Sequence, residues 1–320
     1  MFQITDDIKL CIHKNQDDTI SAIKKYNDYF VTSTDYHEYD NPLKNEYGPI
    51  CISSIILFIN YIKEVKKKTN KKIIYYVYNS KNNYDLLNAT FLFGCYLILV
   101  ENYSVDNLLF NFCNIFNYCP QYYIGCVSEY NGYIITIKDC FKTINFLYSN
   151  KLLNIDLFNL EEYLYYSNYE YRDMTMIFNK FMAMSCPSNY NINHIIIDLK
   201  SKNIKNVIRL NDCKSYNKDL LTEHNISVHD LYFDDMTVPS ISIVKKFMNI
   251  VNNLDYDEIV AVHCKAGIGR TAILICIWLI IKLNFKPKHA IIYIRLFRPG
   301  CIMYHQGVFL ESINYFRHLI

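Results

Sequence analysis

The run His263-Cys264-Lys265-Ala266-Gly267-Ile268-Gly269-Arg270-Thr271 puts a thiol, two glycines and an arginine into one short stretch. It lies between the β-branched segment EIVAV (258–262) and the apolar segment AILICIWLII (272–281), a strand–loop–helix pattern. Two glycines let a backbone curl until successive N–H groups converge on one centre, and a helix N-terminus adds positive potential. Such a loop cradles phosphate. Arg270, six positions after Cys264, stands at its far lip, where a planar guanidinium grips two phosphate oxygens. The expected phosphate contacts are therefore Lys265, Ala266, Gly267, Ile268, Gly269 and Arg270.

A thiol on the floor of that cradle is expected to ionise readily, because electropositive surroundings favour the thiolate. Cys264 would then attack phosphorus in line and form a phosphocysteine. His263 would brace the loop, and the Thr271 hydroxyl would stabilise the thiolate as it leaves. Arg270 and the amides supply the charge stabilisation, so the chemistry requires neither a metal nor a cofactor. A lone Cys would read as core packing. Here Cys264 keeps company with His, two Gly, Arg and Thr between a strand and a helix, and catalysis is the better reading. An alkoxide is a poor leaving group and needs a general acid. The segment HDLYFDDMTVP (229–239) offers Asp230, Asp234 and Asp235, the last lying 29 residues before Cys264.

The elements that hold these residues are legible on either side. ICISSIILFINYIK (50–63) and LLNATFLFGCYLILV (86–100) read as buried helices, KKIIYYVYN (71–79) as a strand and DCFKTINFLYSNKLL (139–153) as an amphipathic helix. An α/β domain over 1–157 follows. FNLEEYLYYSNYEYRD (158–173) is polar and aromatic and fits a helical linker over 158–176. A second α/β domain over 177–320 contains the strands MAMS (182–185) and NVIRL (206–210) and carries the motif.

Composition narrows the setting. The 320 residues are 51% hydrophobic and 20% charged, a globular balance, and a net charge of +2 argues against nucleic acid as the main partner. The 12 cysteines show no metal-type pairing, and MFQITDDIKLCIHKN lacks a signal-peptide pattern, so a reducing cytoplasm or nucleus with free thiols is expected. The apolar runs 50–62, 89–100 and 272–281 are each shorter than the ~18–20 residues that span a bilayer, so no membrane span is expected. The cluster KEVKKKTNKK (63–72) reads as a solvated helix end before it reads as a nuclear-import patch.

The run VHCKAGIGRT resembles the signature of cysteine-based protein phosphatases, and the wider chain resembles the Cdc-fourteen dual-specificity phosphatases. Tyr47-Gly48-Pro49, Asn88-Ala89 with Phe91-Leu92 and Gly94, Lys180-Phe181, Val207–Asn211 and Arg298-Pro299-Gly300 carry that likeness. It implies two tandem phosphatase-like α/β domains joined by a linker helix, with the catalytic apparatus in the second only. It also implies phosphoprotein substrates in the cytoplasm or nucleus, including the spindle and cytoskeleton, and a preference for phosphoserine followed by Pro with a basic residue downstream. The family's acid precedes a Pro by four positions, as Asp235 precedes Pro239, which selects Asp235. Gln306 matches a glutamine that orients the hydrolytic water, whereas Gly307 replaces a second one and Ala272 replaces a Gly. Acidic groove residues fall on Glu161, Glu162, Glu170 and Asp173, thinned by Leu164 and Ser167.

Two other readings compete. A phosphoinositide phosphatase would carry a second loop Lys where Ile268 stands. A non-catalytic phosphosite-binding module would have lost Cys264, Arg270 or the acid, and all three are present.

Overall fold

The computed structural model describes residues 1–37, 48–78, 84–123 and 133–320. Tyr47 and Asn79, both part of sequence expectations, lie outside them. The chain divides into two compact units, Met1–Ile124 with Ile134–Phe158, and Gly125–Tyr133 with Asn159–Ile320.

The first unit is built on a four-stranded sheet. β1 (Phe2–Thr5) pairs antiparallel with β2 (Ile8–His13), while β3 (Tyr29–Thr32) and β4 (Lys72–Tyr78) run parallel to it in the order β1-β2-β4-β3. Central β4 buries Ile73, Ile74, Tyr75 and Val77, which explains its unbroken apolar reading. α1 (Gln16–Lys25) and α2 (Ile52–Thr69) connect the parallel strands. α3 (Tyr84–Leu99) is apolar all round because it is buried all round. Its Gly94 lets α5 (Ile137–Ser149) approach: a Cβ there would meet the Phe141 ring at 2.1 Å. α4 (Val105–Phe112) and a ribbon of β5 (Tyr122–Tyr123) with β6 (Ile135–Thr136) complete the unit. The lysine cluster is a paired helix end, with Lys63 on Asp156, Lys66 on Glu101 and Lys68 on Glu64. No Cys-x5-Arg occurs in this half of the sequence.

The second unit is a five-stranded sheet in the order β10-β9-β11-β8-β7. β8 (Phe181–Met184), β9 (Asn206–Arg209), β10 (Ser227–Asp230) and β11 (Val260–His263) are parallel, and β7 (Met174–Ile177) is antiparallel to β8. Every residue of β11 is buried, at the middle of the sheet. The linker helix is shorter than expected. α6 spans Leu160–Ser167, and the segment expected to stay helical to 176 is already strand from Met174. α7 (Ile192–Ser201) and α8 (Asp219–Thr222) precede β9 and β10, and α9 (Ile241–Asn252) precedes β11. α10 (Arg270–Lys282), α11 (Pro287–Phe297) and α12 (Tyr304–Ser312) follow. α10 is buried along nearly its whole length, so the run AILICIWLII is core. Among the described residues no helix is long and apolar enough to cross a membrane. The loop between β11 and α10 therefore opens at the carboxyl edge of the central strand, where open α/β sheets bind ligands.

Candidate active site

Between Cys264 and α10, every main-chain carbonyl is turned outward and occupied. Cys264 O accepts from His263 Nδ1 (3.2 Å), Lys265 O from Cys186 N (2.9 Å) and Ala266 O from Arg298 Nη2 (3.0 Å). Gly267 O accepts from Arg298 Nε (2.9 Å), Ile268 O from Ile302 N (3.1 Å) and Gly269 O from Ile273 N (3.0 Å). The amides of residues 265–269 donate to no protein group among the described residues. Peptide planarity makes the second fact follow from the first: carbonyls pinned outward leave N–H groups facing in. Gly267, at φ +70°, permits this turn, since a Cβ there would meet Met184 O at 2.3 Å and Arg298 Nη2 at 2.7 Å.

Cys264 and Arg270 are both buried at this loop. Of the five N–H bonds of Arg270, the Nη1 pair goes to Phe233 O (3.0 Å) and Leu210 O (3.3 Å), and Nη2 reaches Asp235 Oδ1 at 3.2 Å. Nε has no protein partner. That leaves Nε–H and the second Nη2–H, a parallel pair suited to two oxygens of a phosphoryl group. The Thr271 hydroxyl, fully buried one residue on, is likewise without a protein partner.

The three candidate acids separate cleanly. Asp230, at the end of β10, accepts from Arg209 Nε at 2.6 Å, and Asp234 accepts from the Tyr232 hydroxyl at 2.7 Å. Asp235 alone stands against Arg270, its carboxylate steadied by Met236 N at 3.1 Å. Gln306 is fully buried, and its Nε2 donates to Thr237 O (3.2 Å) while its Oε1 accepts from Met303 N (3.1 Å). A Cβ on Gly269 would lie 3.4 Å from that Nε2, so one amide joins the acid segment to the loop. Position 307 faces elsewhere: a Cβ there would meet the Tyr133 ring at 2.7 Å. Gly307 therefore packs closely against Tyr133.

His263 is fully buried, and burial pulls its pKa down to about 4. A neutral imidazole has one donor and one acceptor nitrogen. Nδ1 faces a carbonyl and must donate, so Nε2 accepts from the Tyr216 hydroxyl at 3.0 Å. Burial raises the pKa of that hydroxyl, which keeps its proton. Buried Arg209 holds Tyr216 in turn, donating from Nη1 to Tyr216 O (3.1 Å) with its guanidinium 4.9 Å from the ring centre.

Lys265 is exposed at the rim and Ile268 half-buried. The linker acids are divided. Glu162 lies against Lys202 at the surface, and Asp173 lies 3.0 Å from the buried Arg298, so two of the four acids expected in a groove already have a cation partner within the chain. Glu161 and Glu170 are exposed and make no ion pair among the described residues. Sequence reasoning gave no site role to Tyr216, Arg209, Arg295 or Arg298. For Arg209 and Arg295 the signal was an arginine inside an apolar strand (VIRL) or helix (AIIYIRLF), where a buried polar task explains it; Arg298, one residue past that helix, and Tyr216 carried no such signal.

Comparison with known proteins agrees with this geometry. Residues 4–146 match the family described as "Dual specificity protein phosphatase, N-terminal half", and residues 182–283 match "Polymorphic toxin system, DSP-PTPase phosphatase". The chain is 31% identical over 300 residues to the tyrosine-protein phosphatase CDC14 homolog of Schizosaccharomyces pombe, covering 86% of this chain and 54% of that protein. The chain belongs to the CDC14 dual-specificity phosphatase family. Dual specificity protein phosphatase CDC14C of Symphalangus syndactylus is 29% identical, covering 96% of this chain and 64% of that protein. CDC14B of Mus musculus is 30% identical, covering 88% and 60%. The chain thus spans between about half and two thirds of these curated relatives. The likeness to a CDC14 protein runs through both units, as the sequence resemblance implied.

Proposed function

We propose that the chain hydrolyses phosphoserine, phosphothreonine and phosphotyrosine esters of proteins through a phosphocysteine on Cys264. One observation carries this reading: the loop amides that follow Cys264 and the Nε–H of Arg270 are donors with no protein acceptor. Donors arranged in advance around a developing anion are the largest single source of catalysis in such sites.

In the first step the Cys264 sulfur forms a bond to phosphorus as the ester P–O bond breaks. Loop amides and Arg270 hold the non-bridging oxygens, and Asp235 gives its proton to the departing oxygen. In the second step water forms a P–O bond as P–S breaks, and Asp235 takes the proton from that water. The Thr271 hydroxyl receives a hydrogen-bonding role toward the sulfur as it leaves. Gln306, beside both Gly269 and the acid segment, orients the water.

The finer substrate preference rests on Glu161 and Glu170, which are exposed and available to a basic residue downstream of a Ser-Pro site. The test is turnover of phosphoserine, phosphothreonine and phosphotyrosine peptides against a phosphoinositide. Hydrolysis of peptides supports the reading. Faster hydrolysis of the lipid headgroup, or binding of phosphopeptide without turnover, contradicts it.

A further inference from the structure

Arg298 is a buried arginine whose hydrogen bonds nearly all end on main-chain oxygens of the phosphate loop and its supports. Its Nε donates to Gly267 O at 2.9 Å and its Nη2 to Ala266 O at 3.0 Å, two consecutive carbonyls met by one planar edge. Its Nη1 donates to Asp173 O (3.1 Å) and to the Thr175 hydroxyl (3.3 Å). The Asp173 carboxylate then closes on Nη2 at 3.0 Å. Asp173 is itself shaped for this, with φ +49° and its carbonyl also taking Ser185 N at 3.2 Å. One residue before Arg298, Phe297 O accepts from the Tyr163 hydroxyl of α6 at 2.7 Å.

We propose that Arg298, clamped by Asp173, is a positioning residue for the hydrolysis: by holding the carbonyls of Ala266 and Gly267 outward it aims the following amides at the phosphoryl group. It touches no reacting atom. A guanidinium suits the task because two carbonyls side by side need two parallel donors, which an ammonium on a flexible stem does not fix. The same approach accounts for Gly267, since a Cβ there would stand 2.7 Å from Arg298 Nη2. It also moves Asp173 from the substrate groove to the interior of the loop's support. A second buried arginine works one step removed. Arg295 donates to Cys301 O and Ile302 O (both 2.8 Å), and Ile302 N in turn holds Ile268 O.

The proposal rests on the phosphatase reading, and its test separates the two. Vanadate binding to the full chain is measured by calorimetry, which needs no turnover, alongside kcat/KM on an aryl phosphate and thermal melting. Misaligned oxyanion donors cost about 10²–10³-fold when fully removed, so Arg298→Lys should weaken vanadate binding by about 10–100-fold, with kcat/KM falling in parallel. Asp173→Asn keeps the volume of a half-buried side chain and a hydrogen-bond acceptor and should cost less, about 3–10-fold, the worth of one ordinary hydrogen bond. A folded Asp173→Asn or Arg298→Lys protein that binds vanadate as wild type does would overturn the clamp. So would a melting loss accompanied by unchanged vanadate binding in the folded fraction. Wild-type protein that binds vanadate but turns over no phosphopeptide would refute the proposed function instead, and the vanadate comparison would still decide the clamp.

Discussion

Arg270 Nη2 lies 3.2 Å from Asp235 Oδ1, so the guanidinium proposed to grip the phosphoryl oxygens stands against the carboxyl group proposed to protonate the leaving one. The pairing leaves Nε–H and one Nη2–H of Arg270 unengaged. Asp234, one residue earlier, has turned away to Tyr232.

That geometry predicts different fates for neighbouring acids. Asp235→Asn should slow phosphoserine peptides by about 10²–10⁴-fold and an aryl phosphate with a good leaving group far less. Asp234→Asn should change both only slightly. Steady-state rates against a series of leaving groups check this. A larger and leaving-group-dependent loss in Asp234→Asn would move the acid by one residue.

His263 predicts how stability depends on pH. Its pKa falls from an ordinary value near 6.5 to about 4 in the folded protein, so the unfolded chain takes up the proton first as pH drops. Its contribution is fully present above about 6.5, is lost as pH falls toward 4 and levels off below. The loss is on the order of 3 kcal/mol at most. Urea unfolding at pH 7.5, 6 and 5 should show this slope, and His263→Asn should flatten it. An unchanged slope in the variant would exclude His263 as its source.

The packing of Tyr133 against Gly307 predicts a size effect on stability. Gly307→Ala places a Cβ 2.7 Å from Tyr133 Cδ1 and should destabilise by about 1–3 kcal/mol. Trimming the ring in a Tyr133→Leu, Gly307→Ala double variant should recover part of that. Additive losses in denaturant midpoints would show that the two positions do not share a contact.

These cases show what sequence could disclose. The strand–loop–helix around Cys264 and the burial of α10 were legible because local periodicity carries them, whereas the residues alone left Asp230, Asp234 and Asp235 open and only the family resemblance singled out Asp235. The clamp was not legible. Arg298 meets loop carbonyls 31 and 32 residues away in sequence, and Tyr216 meets His263 at a separation of 47. Those contacts exist only once β9, β11 and α11 are packed. The linker is a related case: its helix stops at Ser167, and of the four acids expected in a groove Glu162 lies against Lys202 and Asp173 against Arg298.

With Glu161 and Glu170 as the linker acids that make no ion pair among the described residues, a basic-residue preference should be weak and sensitive to salt. Exposed pairs contribute about 0.2–1 kcal/mol each, so a downstream Lys on a Ser-Pro peptide should raise kcat/KM by no more than about fivefold per pair. The advantage should shrink in Glu161→Gln, Glu170→Gln protein and at high salt. Equal rates with and without Lys at low salt would remove these acids from substrate recognition.

The central claim is the covalent intermediate on Cys264. Its most direct test is acid quenching of the full chain during turnover of a phosphopeptide, followed by mass spectrometry of the peptide containing Cys264. The account predicts a phosphoryl adduct on that sulfur, more abundant in Gln306→Ala and absent in Cys264→Ser, which binds phosphopeptide without turnover. Phosphate release at wild-type rate by Cys264→Ser, or turnover with no adduct on Cys264 at any quench time, would contradict it.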